Sequence, residues 1–210
     1  MPLRLTNKIS KLSSMVPSSI REFSDRVHLY PVGLGQKNSR FSMKGGNYEG
    51  FLQQGRGGPI LGVQFDCFAH HMLGKFDFSN IAFVKLDVEG FEIAVLKGAQ
   101  NSLFSKEGYS KIGGMIMEVG PDRWGRAQID LATGVEEMKK LSTHFKVSHV
   151  LMRSEGYAKT CPLSLGDDLS DKNPRLFDGV KMFTIKIDEW GPLLAKMETN
   201  HFDCNFFYKN

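Results

Sequence analysis

Apolar residues fall into a few runs separated by polar, glycine-rich stretches, and the spacing inside each run predicts its element. Ile81-Ala82-Phe83-Val84-Lys85-Leu86-Asp87 is a mostly continuous apolar run, and Ile112 to Val119 is another. Such runs suit strands covered on both faces, as in parallel sheets. Between them Phe91, Val95, Ala99 and Leu103 recur at helical spacing, with Leu96 beside them. Val135, Met138, Leu141 and Phe145 mark a further helix, opened by Thr133 or Gly134, and Phe145 to Met152 reads as the next strand. Val27 to Val32 reads as an early strand that Gly33-Leu34-Gly35 ends, Ile60 to Phe65 as another, and Asp66 to Leu73 as a helical turn. Gly45, Gly46, Gly50, Gly55, Gly57, Gly58 and Gly62 make 36–62 an irregular excursion with a hairpin. Residues 153–179 are loop-like, Val180 to Ile187 is a strand, and Trp190 to Met197 is amphipathic. Ile9, Leu12, Val16 and Ile20 predict a short helix over 7–23, which Pro17 weakens.

The order strand–helix–strand–helix–strand in the middle predicts an α/β fold on a mainly parallel sheet with right-handed crossovers. The late strands, after the long loop, predict a C-terminal antiparallel hairpin at one edge. Composition agrees: 210 residues, 41% apolar and 24% charged, describe a globular chain able to bury a core. The organisation read from it is a basic extension over 1–26 and one domain over 27–210. Arg4, Lys8, Lys11 and Arg21 precede any acid before Glu22, so an organelle-targeting segment and a basic helix of the fold both stay open.

Charge and cysteines narrow the classes. The net charge of +4 is spread along the chain, and the longest basic cluster is Lys139-Lys140, so no nucleic-acid footprint is present. No apolar run approaches the ~20 residues that cross a bilayer. Cys67, Cys161 and Cys204 are odd in number and widely spaced, which points to neither a zinc site nor a disulfide framework, and to a reducing, cytoplasmic setting.

The chemistry concentrates where strands stop. Asp87 ends one apolar run, Glu118 lies near the end of the next, and Glu89 sits in the turn just after Asp87. Ligands in open α/β sheets bind beyond the carboxyl ends of the strands, so this puts carboxylates on one crevice rim. Gly90 allows a tight turn into the helix, and Lys85, two residues before Asp87, shares its strand face. A different use of Asp87 or Glu89 is to cap the helix that follows. A further rival is a Mg²⁺ site on Asp87, Glu89 and Glu118 with His70-His71 nearby. Trp124 and Trp190 read as packing residues.

The stretch Phe83-Val84-Lys85-Leu86-Asp87-Val88-Glu89-Gly90-Phe91-Glu92-Ile93-Ala94-Val95-Leu96-Lys97-Gly98-Ala99 resembles the hallmark segment of FkbM-type methyltransferases. Met115-Ile116-Met117-Glu118-Val119-Gly120-Pro121 resembles the strand that follows it there, and the resemblance covers about residues 20–125. It implies a class I, Rossmann-like methyltransferase fold. It implies S-adenosylmethionine as cofactor and a hydroxyl group on a small molecule or glycan as acceptor, hence O-methylation. Asp87 is then the candidate proton acceptor or substrate orienter, a role a carboxylate within hydrogen-bond reach can fill. Glu89 and Glu118 are candidates for binding acceptor hydroxyls or the cationic cofactor.

One expected part is missing. The family's fold opens with a strand, an acidic-x-Gly-x-Gly loop and a helix, whereas the residues before Val27 contain no glycine. The expectation is therefore a partial fold. In the family's frame Gly33 and Leu34 lie near the adenine and Asp87 near the cofactor; Gly55-Arg56-Gly57-Gly58 is a weaker substitute loop. The strand at Val84 would lack a neighbour, so a partner chain or oligomer covering the sheet edge is expected. The alternative is a silent methyltransferase relic that serves as an interaction module.

Overall fold

The glycine-rich first half makes a small sheet of its own. Strands β1 (Gly33–Gly35), β2 (Ser39–Lys44), β3 (Phe51–Gln54) and β4 (Ile60–Gln64) lie in the order β1-β4-β2-β3. The computed structural model describes residues 30, 32–44, 51–54, 59–73, 81–105, 111–153 and 161–210. The chain divides into two units, residues 1–32 and 33–210, and both sheets belong to the second. The helix expected over 7–23, the strand at Val27–Val32 apart from Tyr30 and Val32, and the glycines of 55–58 lie outside the described residues.

The expected hairpin within 36–62 is β2–β3, paired antiparallel from Phe41↔Gln54 to Lys44↔Phe51. Gly33-Leu34-Gly35, expected to end a strand, forms one, parallel to β4 through Gly33↔Gly62 and Gly35↔Gln64. Glycine at 62 lets the Phe41 ring lie across the strand, since a Cβ there would overlap the ring. Phe41 in turn meets Phe91 edge to face at 5.4 Å and ties the small sheet to the start of the next helix. The helical turn expected from Asp66 is α1 (Phe65–Phe68), continued by a wide turn over Ala69–Leu73.

The second sheet has six strands: β5 (Val84–Leu86), β6 (Gly114–Val119), β7 (Val147–Arg153), β8 (Arg175–Phe177), β9 (Val180–Thr184) and β10 (Cys204–Lys209). Their order is β5-β6-β10-β7-β9-β8. Helix α2 (Glu92–Gly98) joins the parallel pair β5 and β6; α3 (Leu131–His144) precedes β7, and α4 (Trp190–Asn200) precedes β10. The observed pairing corrects the mainly parallel sheet expected from sequence. Only β5–β6 is parallel in this sheet, and the other four pairings are antiparallel. Two of these four involve β10, a strand the hydrophobic pattern left unassigned, and the other two involve β9. Strands β5, β6 and β7 point the same way, but β10 returns from α4 and inserts between β6 and β7. The expected antiparallel edge hairpin is β8–β9. The architecture is mixed α/β.

One face of this sheet carries the core. Leu86, Met115, Met117, Val119, Val150, Met152, Phe206 and Tyr208 pack with Ile93, Leu96, Met138, Leu141, Trp190 and Leu194. Trp124 and Trp190 are fully buried packing residues, and the Trp190 indole N–H donates to Ser142 Oγ at 2.8 Å. The other face, with Lys85, Ile116, Asn205, Leu151, Arg153 and Met182, is half-buried or exposed. Among the described residues strand β5 is thus the outer strand of its sheet, and Phe83 just before it is 51% exposed. Helix α3 starts earlier than Thr133, because the Asp130 carboxylate accepts from the Thr133 N–H at 2.7 Å and caps it. Helix α2 stops at Gly98, and Leu103 and Phe104 are buried from the turns that follow.

The cysteine reading is also corrected. Cys161 and Cys204 form a disulfide across 43 residues of sequence, and Cys67 is a free thiol. The bond fastens the first residue of β10 to the segment whose Pro162 bridges Arg153. The odd count and wide spacing hid the pair because its geometry depends on β10. The disulfide removes the cysteine argument for a reducing compartment. Among the described residues no helix is long and apolar enough to cross a membrane.

Candidate functional site

The carboxyl ends of β5 and β6 bring the predicted acids together. Oxygens of Asp87, Glu89 and Glu118 all lie within 4.8 Å of one another. Asp87 follows β5 directly, and Lys85, on the same face of the strand, donates to its Oδ2 at 2.9 Å. That hydrogen bond is the main cause of the raised Lys85 pKa.

The turn after Asp87 is built to project these groups. Glu89 has φ 53° and Gly90 φ 98°, both left-handed. A side chain at Gly90 would collide with the Arg123 carbonyl, so glycine is required by space as well as by φ. Glu89, not a glycine, needs its conformation held, and arginines hold it. Arg126 Nη1 donates to the Glu89 carbonyl at 2.9 Å, and Arg123 Nη1 donates to Glu89 Oε2.

The capping alternative for Asp87 and Glu89 does not describe this turn. Phe91 occupies the cap position of α2 without a side-chain cap bond, and the Gly90 N–H donates to Glu92 Oε1 at 2.9 Å. Glu92 is 1% exposed. Burial pushes its carboxyl up, against the pull of the Gly90 N–H and of the Arg123 charge. Glu92 thus anchors the turn from inside and leaves the Asp87 side chain to the rim.

Arg123 is the hub that sequence reasoning missed. Its guanidinium binds Glu89, Glu118 Oε1 at 3.1 Å and Asp203 Oδ1 at 2.6 Å, while being only 15% exposed itself. Burial pulls its pKa down, but the carboxylates of Asp203, Glu118 and Glu89 outweigh that, and the guanidinium stays charged. The Gly120-Pro121 step after β6 starts the 3-10 helix Pro121–Ala127 that carries Arg123, a clue that a sequence-level reading has no way to rank. Asp203 was hidden because it precedes β10, the unassigned strand.

This arrangement bears on the metal reading. Two of the three clustered acids already share a guanidinium and the third pairs with Lys85, so a divalent cation would have to displace protein cations. His70 and His71 face each other at 4.8 Å and are exposed, and the cluster of acids includes no histidine.

The residues expected near the adenine lie in the small sheet. Gly33 and Leu34 lie within β1 of the small sheet, their strand paired along β4, and Leu34 packs on the core. The cleft at the end of β1, lined by Gly35, Lys37, Phe91 and Ala94 among others, holds about 80 Å³. That is room for roughly two or three water molecules, not for a nucleoside. Asp87 belongs to the other sheet.

Asp203 titrates unusually. Burial raises it to about 6 from 3.8; Arg123 pulls against this, and the like charges of Asp122 and Glu118 add to the rise. Between these two values the folded chain holds a proton that the unfolded chain has released, so this contribution to stability falls as pH rises from 3.8 to about 6. Below 3.8 both states are protonated, and above about 6 the full cost of the ionised group is present. The stability difference between wild type and Asp203→Asn is therefore expected to move against wild type as pH rises through that window. Urea unfolding at both ends of it checks this, and a difference that stays constant would rule it out.

A comparison with family models matches the Methyltransferase FkbM domain over residues 25–157, more than half of the chain. Comparisons with curated proteins and with solved structures find no match. The match spans the Asp-Val-Glu-Gly turn, Glu118 and Arg123 together, and the chain belongs to the FkbM methyltransferase domain family.

Proposed function

We propose that the chain is a methyltransferase domain that transfers a methyl group from S-adenosylmethionine to a hydroxyl. The observation that carries this is Asp87: a strand-end carboxylate on the rim, spared from helix capping by Glu92 and paired only with Lys85 among the described residues. S-adenosylmethionine supplies an electrophilic methyl group when bound. Gly33 and Leu34 pair along β4, and the cleft at the end of their strand is small for its nucleoside. The chemistry assigned to this chain is accordingly confined to its own groups. Asp87 accepts the proton of the attacking hydroxyl, which raises the oxygen's nucleophilicity. Glu118, fixed through Oε1 by Arg123, orients the acceptor with its other oxygen.

A second reading, a silent relic acting as an interaction module, draws on β5: an outer strand beside the exposed Phe83. Calorimetric titration of S-adenosylmethionine into the purified chain separates the two. Saturable binding, competed by S-adenosylhomocysteine, is the expected result of the first. Absence of heat at millimolar cofactor would leave only the second.

A further inference from the structure

Beside the rim lies a cavity of about 290 Å³, lined by Ile116, Leu151, Arg153, Cys161, Val180, Asp203 and Asn205. Its size is close to the lower end of small-molecule pockets. The strand registers explain how it forms. Asn205 stands opposite Glu118 on β6 and opposite Leu151 on β7, and Arg153 stands opposite Val180 on β9. These residues share the open face of the sheet, at the end where β5, β6 and β7 finish. Asp203 belongs to both places, since it lines the cavity and binds Arg123.

The lining has unused capacity. The Arg153 guanidinium is exposed and makes no side-chain hydrogen bond or ion pair among the described residues. The Asn205 amide has no side-chain partner among the described residues either. Asp203 gives one oxygen to Arg123 and keeps a second that can accept, as does Glu118 on the neighbouring rim outside the lining. Ile116, Leu151 and Val180 make an aliphatic floor between these groups. Hydroxyl acceptors on one side, a cation unpaired among the described residues on the other, and an apolar floor describe a ligand with several hydroxyls, an aliphatic ring or chain, and an anionic end.

We propose that this cavity is the acceptor subsite and that its ligand is a hydroxylated small-molecule acid, whose carboxylate or phosphate is held by Arg153 while a hydroxyl reaches toward Glu118 and Asp87. The proposal rests on the methyltransferase reading for the word acceptor, but not for the binding itself. A planar guanidinium binds a carboxylate or a phosphate through two parallel hydrogen bonds, which a neutral ligand lacks. The selectivity therefore resides in Arg153.

The test uses the full chain and three sugars that differ in charge: glucuronate, glucose 6-phosphate and glucose. Nitrogen-edited NMR follows the Asn205 side-chain amide and the Arg153 Nε signal during each titration, with wild type, Arg153→Gln and Arg153→Lys. At least one charged sugar is expected to move both signals and to bind about tenfold more tightly than glucose. Which of the two charged sugars binds identifies the anion as carboxylate or phosphate. Arg153→Gln is expected to erase the preference and Arg153→Lys to retain part of it. Equal binding of all three sugars, no binding of any, or an unchanged preference in Arg153→Gln would overturn the proposal. Cofactor titration in the same samples keeps the two readings apart: lost cofactor binding with the acid preference intact sinks only the enzymatic reading.

Discussion

Replacing Arg123 by alanine is expected to cost about 3 kcal/mol of stability, the low end of what removing one partner of a buried ion pair costs. The low end applies because the carboxylates keep part of their surface in water: Glu89 is 38% exposed, Glu118 28% and Asp203 25%. Without the guanidinium these acids repel one another across a shared, half-desolvated space, and Glu89 keeps a left-handed backbone with only Arg126 to hold it. The effect should couple. In a Glu118→Gln background the same replacement is expected to cost less, because one of the charges left stranded is already gone. Urea unfolding of the four proteins in that cycle measures both quantities. A loss under about 1 kcal/mol, the range of exposed pairs, would show that Arg123 is an ordinary surface cation.

How much of this was legible depends on how local each determinant is. The run Phe83 to Asp87, the helix after it and the run to Val119 showed a strand–helix–strand unit, and Asp87, Glu89 and Glu118 converge at its end. That convergence follows from one parallel crossover, which local pattern encodes well. The sheet's direction did not follow from order in the chain. Cys204, Phe206 and Tyr208 alternate with Asn205 and Lys209, buried against exposed, so the period of a strand is present at the C-terminus. Its place between β6 and β7 is set by contacts remote in sequence, and those contacts make two of the sheet's five pairings antiparallel. The disulfide and Asp203 were lost with it, since both depend on where β10 begins. Arg123 was missed for a related reason. An arginine five residues after a glutamate has no periodic signature, and its role arises only once Glu89, Glu118 and Asp203 surround it.

Asp87→Asn separates chemistry from architecture at the rim. The substitution keeps the shape and removes the charge that accepts a proton, so methyl transfer to a hydroxylated acid is expected to fall by about 10²–10⁴-fold in kcat. Stability is expected to change by about 1 kcal/mol or less, because the lost interaction is one exposed pair with Lys85. That asymmetry depends on Glu92. If Asp87 capped α2, its loss would cost about 1–2 kcal/mol and the fall in rate would follow from a frayed turn. In the fold the Gly90 N–H is satisfied by the Glu92 carboxylate instead, and the α2 cap position carries no side-chain bond. Glu92→Ala should accordingly lose stability, because it frees the Gly90 N–H of the turn that carries Asp87 and Glu89. Release of S-adenosylhomocysteine and thermal unfolding, measured on the same two variants, decide the matter. Matching losses of rate and stability in Asp87→Asn would make the carboxylate a structural group and remove the proton acceptor from the proposed reaction.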